Sequence, residues 1–347
     1  MLRATSQSSP TTSAADPIRR LLLSYGAMIV VTATIATVLI GCLGTTPRAT
    51  SENTCIVVCG ERFDIGTRVV LWTEPDGYDA YREVPHFETV AEALAADPPR
   101  DPHGKRYGER KSLPPAIAER VQRNGWTRDD LANVVDQFVV HFDVCGTSRQ
   151  CFKILQDRRK LSVHFMLDVD GTIYQTLDLK ERAWHATIAN DRAVGVEIAH
   201  IGAYPAPGHP VMRSWYATDE HGPYVKFPGW MKELGIRTPK FIARPATAQL
   251  HTRTINGDQV WMQDFTKEQH AALARLAAGL HRALPKIRLD VPRGPDGKPT
   301  DDVLPAADFA AFQGVLGHYH VQANKNDPGP ALDWDRFLTE ARAVRLP

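Results

Sequence analysis

The 347 residues are 43% hydrophobic and 23% charged, the balance of a globular protein with enough apolar material for one large core or two smaller ones, which excludes pervasive disorder and a collagen-like fibre. Forty-one Lys and Arg against 40 Asp and Glu leave a formal charge of +1, so no global field concentrates the chain on DNA or RNA, and no nucleic-acid partner is expected. The 25 prolines and 24 glycines imply long irregular connections, where part of the function is expected to reside.

Residues 1–20 are polar up to Arg19-Arg20, after which Leu21 to Gly41 carries no charge; the run is long enough to cross a bilayer. It ends in Leu39-Ile40-Gly41-Cys42, which resembles the bacterial lipobox. Residues 1–41 therefore read as a lipoprotein signal peptide and Cys42 as the lipidated residue, an uncleaved anchor being the alternative. The twin arginines leave the export route open. The expected location is the cell envelope, with the membrane as a partner through the N-terminal lipid. Setting Cys42 aside leaves Cys55, Cys59, Cys145 and Cys151, two close pairs that read as two local disulfides in an oxidising compartment.

Residues 42–54 form a tether. Residues 55–132 read as an N-terminal extension and linker: a small β-rich lead-in over 55–85, then a short helix and loop over 86–114 with no catalytic spacing. From Asn133 the pattern becomes richer. Phe138 to Phe142 is a strand with His141 near its end, Ser162 to Leu167 a second, and Asp170-Gly171 a hairpin signal ahead of Thr172 to Gln175. Ala193 to Ile198 is a strand carrying one carboxylate, Glu197. Thr266-Lys267-Glu268-Gln269 makes a capping box for a helix whose Leu273, Leu276, Leu280 and Leu284 recur at helical spacing. Strands interleaved with helices predict an α/β domain. Residues 201–260, rich in Pro, Gly, Tyr and Trp, are too long for a connector and are expected to be a substrate-facing insertion, with Tyr224, Trp230, Lys240 and Arg244 as candidate groove residues.

Three histidine-bearing segments could supply a metal: His141, His185 in Ala183-Trp184-His185-Ala186, and Gly317-His318-Tyr319-His320 followed by Lys325-Asn326-Asp327-Pro328-Gly329. In the last, a histidine and an aspartate nine residues apart can present an imidazole and a carboxylate to one cation. These segments resemble the type 2 N-acetylmuramoyl-L-alanine amidases, a zinc-dependent family that also includes phage amidases and peptidoglycan recognition proteins. The resemblance implies a central mixed β-sheet flanked by helices over 133–340. It also implies one Zn²⁺ held by His141, His318 and Asp327, with Glu197 as general base and Lys325 as stabiliser of the oxyanion. Trp184, His185 and His164 are expected at the substrate, although a core histidine is an equal reading for His164. His320 rivals His318 as ligand, because an extended segment would put both on one face. The Cys145/Cys151 pair is similar to a disulfide of the recognition proteins. The implied reaction is hydrolysis of the amide between N-acetylmuramic acid and L-alanine of peptidoglycan. The alternatives are a non-catalytic peptidoglycan-binding lipoprotein and an amidase of anhydro-muropeptides. No Gly-rich phosphate loop follows a strand, so no nucleotide cofactor is expected.

Overall fold

The computed structural model describes residues 53–347; Cys42, the apolar run and most of the tether lie outside the described residues. In chain order the strands are β1 (Cys55–Val58), β2 (Glu61–Asp64), β3 (Val69–Leu71), β4 (Tyr107–Gly108), β5 (Gln137–Phe142), β6 (Phe165–Leu167), β7 (Ile173–Gln175), β8 (Arg182–Ala183), β9 (Ala193–Ile198), β10 (Tyr216–Asp219), β11 (Gly222–Val225), β12 (His251–Ile255), β13 (Asp258–Met262) and β14 (Gly314–Gly317). Six of them make one mixed sheet in the order β14-β5-β9-β6-β7-β3. β14, β5, β9 and β6 run parallel, β7 returns antiparallel to β6, and β3 lies parallel to β7 at the edge.

The parallel strands are buried on both faces, which is why β5 (Gln137–Phe142) is buried at every position. Their period of two separates two jobs. Phe138, Val140 and Phe142 of β5, with Val194, Val196 and Ile198 of β9, point into the main core beneath the helices Lys267–Ala283 and Trp334–Ala343. His141 and Glu197 occupy the alternate positions, so the sheet turns them to its other face. The Thr266/Gln269 capping box forms as the sequence predicts, with the Thr266 hydroxyl accepting from Gln269 N and the Gln269 side chain accepting from Thr266 N.

The segment before residue 133 is more deeply built in than a lead-in and linker. The β1–β2 hairpin, closed by Cys59-Gly60 with both residues at positive φ, buries Ile56, Val58 and Ile65 in the main core, and β3 completes the sheet edge. Arg106 and Arg110 are buried within the stretch expected to be a loop. The Arg110 guanidinium donates to the carbonyls of Leu179, Asp191 and Ala193 and so clamps this segment against β9. The insertion is two hairpins, β10–β11 and β12–β13, with the short helix Pro210–Trp215. Among the described residues no helix is long and apolar enough to cross a membrane.

All four described cysteines are thiols, and for the first pair the strand gives the reason. Cys55 and Cys59 bracket β1, whose residues advance about 3.3 Å each, which holds them beyond the roughly 7 Å Cα separation a disulfide spans. Burial pushes the Cys59 thiol up to about 12. Cys145 and Cys151 do lie close, their sulfurs and an Asp143 oxygen falling within 4.8 Å of one another, and the structure holds them as free thiols at that spacing.

Candidate active site

β5, β9 and β14 all point the same way, and the chemistry collects at their carboxyl ends, where open parallel sheets leave a crevice. His141 is the penultimate residue of β5, directly opposite Glu197 in the adjacent strand β9. His318 follows the last residue of β14. Gly317 lets that strand end pack on the next loop, since a Cβ there would stand 2.8 Å from Pro328 Cδ. This contact brings Asp327 back to the histidines.

His141 Nδ1 and His318 Nδ1 are 3.0 Å apart and lie 2.9 and 3.0 Å from Asp327 Oδ2. The far side of each ring has its own partner. His318 Nε2 donates to Gln322 Oε1 at 2.8 Å, and His141 Nε2 lies 3.1 Å from His185 Nδ1. With protons on the two Nε2 atoms, the tautomers a metal ligand requires, both Nδ1 lone pairs and a carboxylate oxygen converge on one point. Three acceptors at that spacing repel unless a cation lies between them, and two imidazoles plus one carboxylate are a zinc donor set with room for a fourth ligand. The residues therefore fit a zinc ion.

Burial and the neighbouring His318 push His141 down to about 4, so it is a neutral ligand at physiological pH. Burial pushes the Asp327 carboxyl up, but without a metal, when the imidazoles can turn N–H groups toward it, the bonds from His141 and His318 more than offset burial and hold the group below the usual carboxylate range. Glu197 goes the other way. Burial, then the charges of Asp327 and Asp143, raise it well above the usual range, and its Oε2 is buried without a hydrogen-bond partner.

These groups open onto one cavity of about 300 Å³, lined by His141, His318, Asp327, Glu197, Lys325, Trp184 and His185 on one side and by Ile154, Leu155 and Arg159 of the helical stretch 148–159 on the other. His185 reaches the cavity, but its polar contact is with His141, so it supports a ligand as well as facing the space. His164 does not reach it. It is fully buried, with Nδ1 accepting from Gly195 N at 3.2 Å and Nε2 donating to Glu181 O at 3.0 Å. Burial, reinforced by Arg110, pushes it down to about 3. The core reading of His164 thus replaces substrate contact, because both ring nitrogens are spent on backbone.

His320 is likewise spent, taking Gly317 N at 2.9 Å and donating to Thr300 O at 2.8 Å. His318–Val321 is a helical turn, not an extended segment, so positions 318 and 320 point apart. The same turn brings Gln322 under His318, a contact four residues on that an extended reading hides. Tyr224, Trp230, Lys240 and Arg244 are all absent from the cavity wall. Arg244 is engaged by Asp219 at 2.9 and 2.6 Å and braces the β10–β11 hairpin.

Among solved structures, the chain is similar to AmpD, at 17% identity over 61% of this chain and 87% of that one, with a TM-score of 0.30. It is also similar to AmiD from E. coli in complex with anhydro-N-acetylmuramic acid-L-Ala-D-gamma-Glu-L-Lys, at 15% identity, 63% and 59% coverage and a TM-score of 0.33. The amidase LysC from Clostridium intestinale gives 13% identity, 62% and 89% coverage and a TM-score of 0.33. No curated protein matches. The sequence matches the N-acetylmuramoyl-L-alanine amidase family, Amidase_2, over residues 131–330. That match spans more than half of the 347 residues, and the chain belongs to this family.

Proposed function

We propose that the chain hydrolyses the amide between N-acetylmuramic acid and the L-alanine of the peptidoglycan stem, using one zinc ion held by His141, His318 and Asp327. The observation that carries this reading is the convergence of those three atoms within 3.0 Å of one another, in the same cavity as the Glu197 carboxyl, whose Oε2 has no hydrogen-bond partner. When bound, the ion supplies Lewis-acid polarisation of the amide carbonyl and acidifies water toward a pKa of about 7.

The chain's own groups supply the rest. Glu197, with its raised proton affinity, accepts a proton from the attacking water and returns it to the leaving nitrogen of L-alanine. Lys325, two residues before Asp327 and on the cavity wall, places its ammonium against the negative charge that builds on the carbonyl oxygen. His185 and Gln322 orient the two imidazoles, and Trp184 offers an apolar side to the substrate.

Zinc content and peptide release from purified peptidoglycan test the reading together. The parent should carry about one zinc per chain; Glu197→Gln should keep it while turnover falls by roughly 10²–10⁴, and His318→Ala should lose both. A parent without zinc refutes the ligand set, and a Glu197→Gln chain at full activity refutes the base.

A further inference from the structure

The family match begins at residue 131; the segment before it lies outside the match, and the long insertion lies within it. They meet at one place, over the outer side of the helical stretch formed by Ser148–Phe152 and Lys153–Arg159. Two adjoining cavities there, of about 360 and 470 Å³, share Phe87, Arg149 and Glu233 as a common wall and make one cleft. The helical stretch has two working sides. Ile154, Leu155 and Arg159 face the catalytic cavity, while Arg149, Lys153 and Arg158 line the cleft. The two spaces are therefore separated by about one helix diameter, on the order of 10 Å.

The cleft is built rather than incidental. Asp157, itself buried, accepts from the backbone N–H groups of His86, Phe87 and Glu88 at 2.6, 2.9 and 2.9 Å and so fixes the wall contributed by the early segment. Tyr174 donates its hydroxyl to Gly235 O at 3.0 Å, which fixes the insertion side. Within this frame the Arg149 guanidinium lies 4.0 Å over the Phe87 ring, and Trp230 is 61% exposed at the rim. His86 Nδ1 is buried in the wall with no partner.

Its charge departs from that of the molecule. Arg149, Lys153, Arg158, Lys232 and Arg237 line it against Asp76 and Glu233, five cations to two anions, on a chain whose formal charge is +1. Glu233 pairs with Arg149, and Glu88 ties Lys153 and Arg158. Arg237 instead donates to the backbone carbonyls of Pro75 and Asp76, which neutralise nothing. An exposed indole in one half of the cleft and an unneutralised guanidinium in the other suit an extended ligand that combines sugar faces with carboxylates.

We propose that this cleft is a second binding site for polymeric peptidoglycan, separate from the scissile unit: a sugar ring stacks on Trp230 while a stem-peptide carboxylate meets Arg237. The proposal rests on the peptidoglycan reading above for the identity of the polymer. Its consequence is that polymer held beyond the helix raises the local concentration of scissile amides at the catalytic cavity.

The test uses the full chain carrying Glu197→Gln, so that the polymer is bound without being cut, and measures co-sedimentation with insoluble sacculi. Adding Trp230→Ala and Arg237→Ala should weaken sedimentation about tenfold. In the Glu197 background the same pair should reduce release from sacculi similarly while leaving kcat/KM on a soluble muropeptide within about twofold. Unchanged sedimentation overturns the proposal, as does an equal loss on the soluble substrate, which would make the cleft part of the catalytic architecture. Binding to anionic phospholipid vesicles in place of sacculi also overturns it. If the parent cleaves nothing but sedimentation still depends on Trp230 and Arg237, the hydrolase reading fails and the binding cleft stands.

Discussion

A methyl group at position 195 would lie 2.6 Å from the His185 imidazole, and that imidazole holds His141 Nε2 at 3.1 Å. Gly195 is therefore required by close approach, not by backbone conformation, and the space it leaves decides where a proposed metal ligand points. Partners of ligating histidines typically set affinity by 10–100-fold. Gly195→Ala should thus lower zinc affinity by about that factor while the chain still melts cooperatively, as read by chelator competition and by thermal unfolding of the metal-free protein. Equal zinc affinity would show that His185 does not steer His141. His141, Glu197, His318 and Asp327 stood out in the sequence through motifs that resemble those of the amidase family, and the fold brings all four to one cavity. Gln322 and the roles of His164, His185 and His320 were not legible there. Each depends on which nitrogen finds which backbone or side-chain atom across the fold, and His320 also on a helical turn that two histidines in alternation disguise.

The helix Lys267–Ala283 shows how element and partner trade against each other. Its capping box and leucine spacing announce it, and Gly279 in its interior counts against it by about 1 kcal/mol relative to alanine. The packing explains the exception, since a Cβ on Gly279 would stand 2.3 Å from Ile65 Cγ2, at the end of the β1–β2 hairpin. Gly279→Ala should therefore destabilise by roughly 1–3 kcal/mol where propensity alone promises a gain of about 1, and Ile65→Ala in the same chain should recover part of the loss in a double-mutant cycle from urea unfolding. A stabilised single variant would mean that the hairpin gives way freely. The core strands and this helix were readable because periodic burial leaves a periodic trace. The short helix and loop over 86–114 form as expected, but the burial of Arg106 and Arg110 within the loop left no trace, for the opposite reason: arginine is usually a surface residue, and only the fold supplies the carbonyls that Arg110 satisfies.

At the scale of the molecule, the family match and the folding unit have different borders. The match starts at residue 131, yet the described residues 53–347 fall in one compact unit, and β3 completes the sheet whose other end carries the catalytic strands. Starting the chain at residue 131 would remove Ile56, Val58, Ile65, Val69 and Leu71, all buried, at about 1.5–3 kcal/mol of burial each. It would also take away Arg110, which holds the approach to β9. The sum, roughly 8–15 kcal/mol on that per-residue scale, equals the usual net stability of a domain of about 5–15 kcal/mol. A chain of residues 53–347 should then unfold in one cooperative thermal transition, whereas residues 131–347 should show none and should bind no zinc. If the shorter chain melts cooperatively and retains the metal, the early segment is a separable cover over a self-sufficient catalytic sheet, and the contacts of β3 and Arg110 contribute far less than their burial implies.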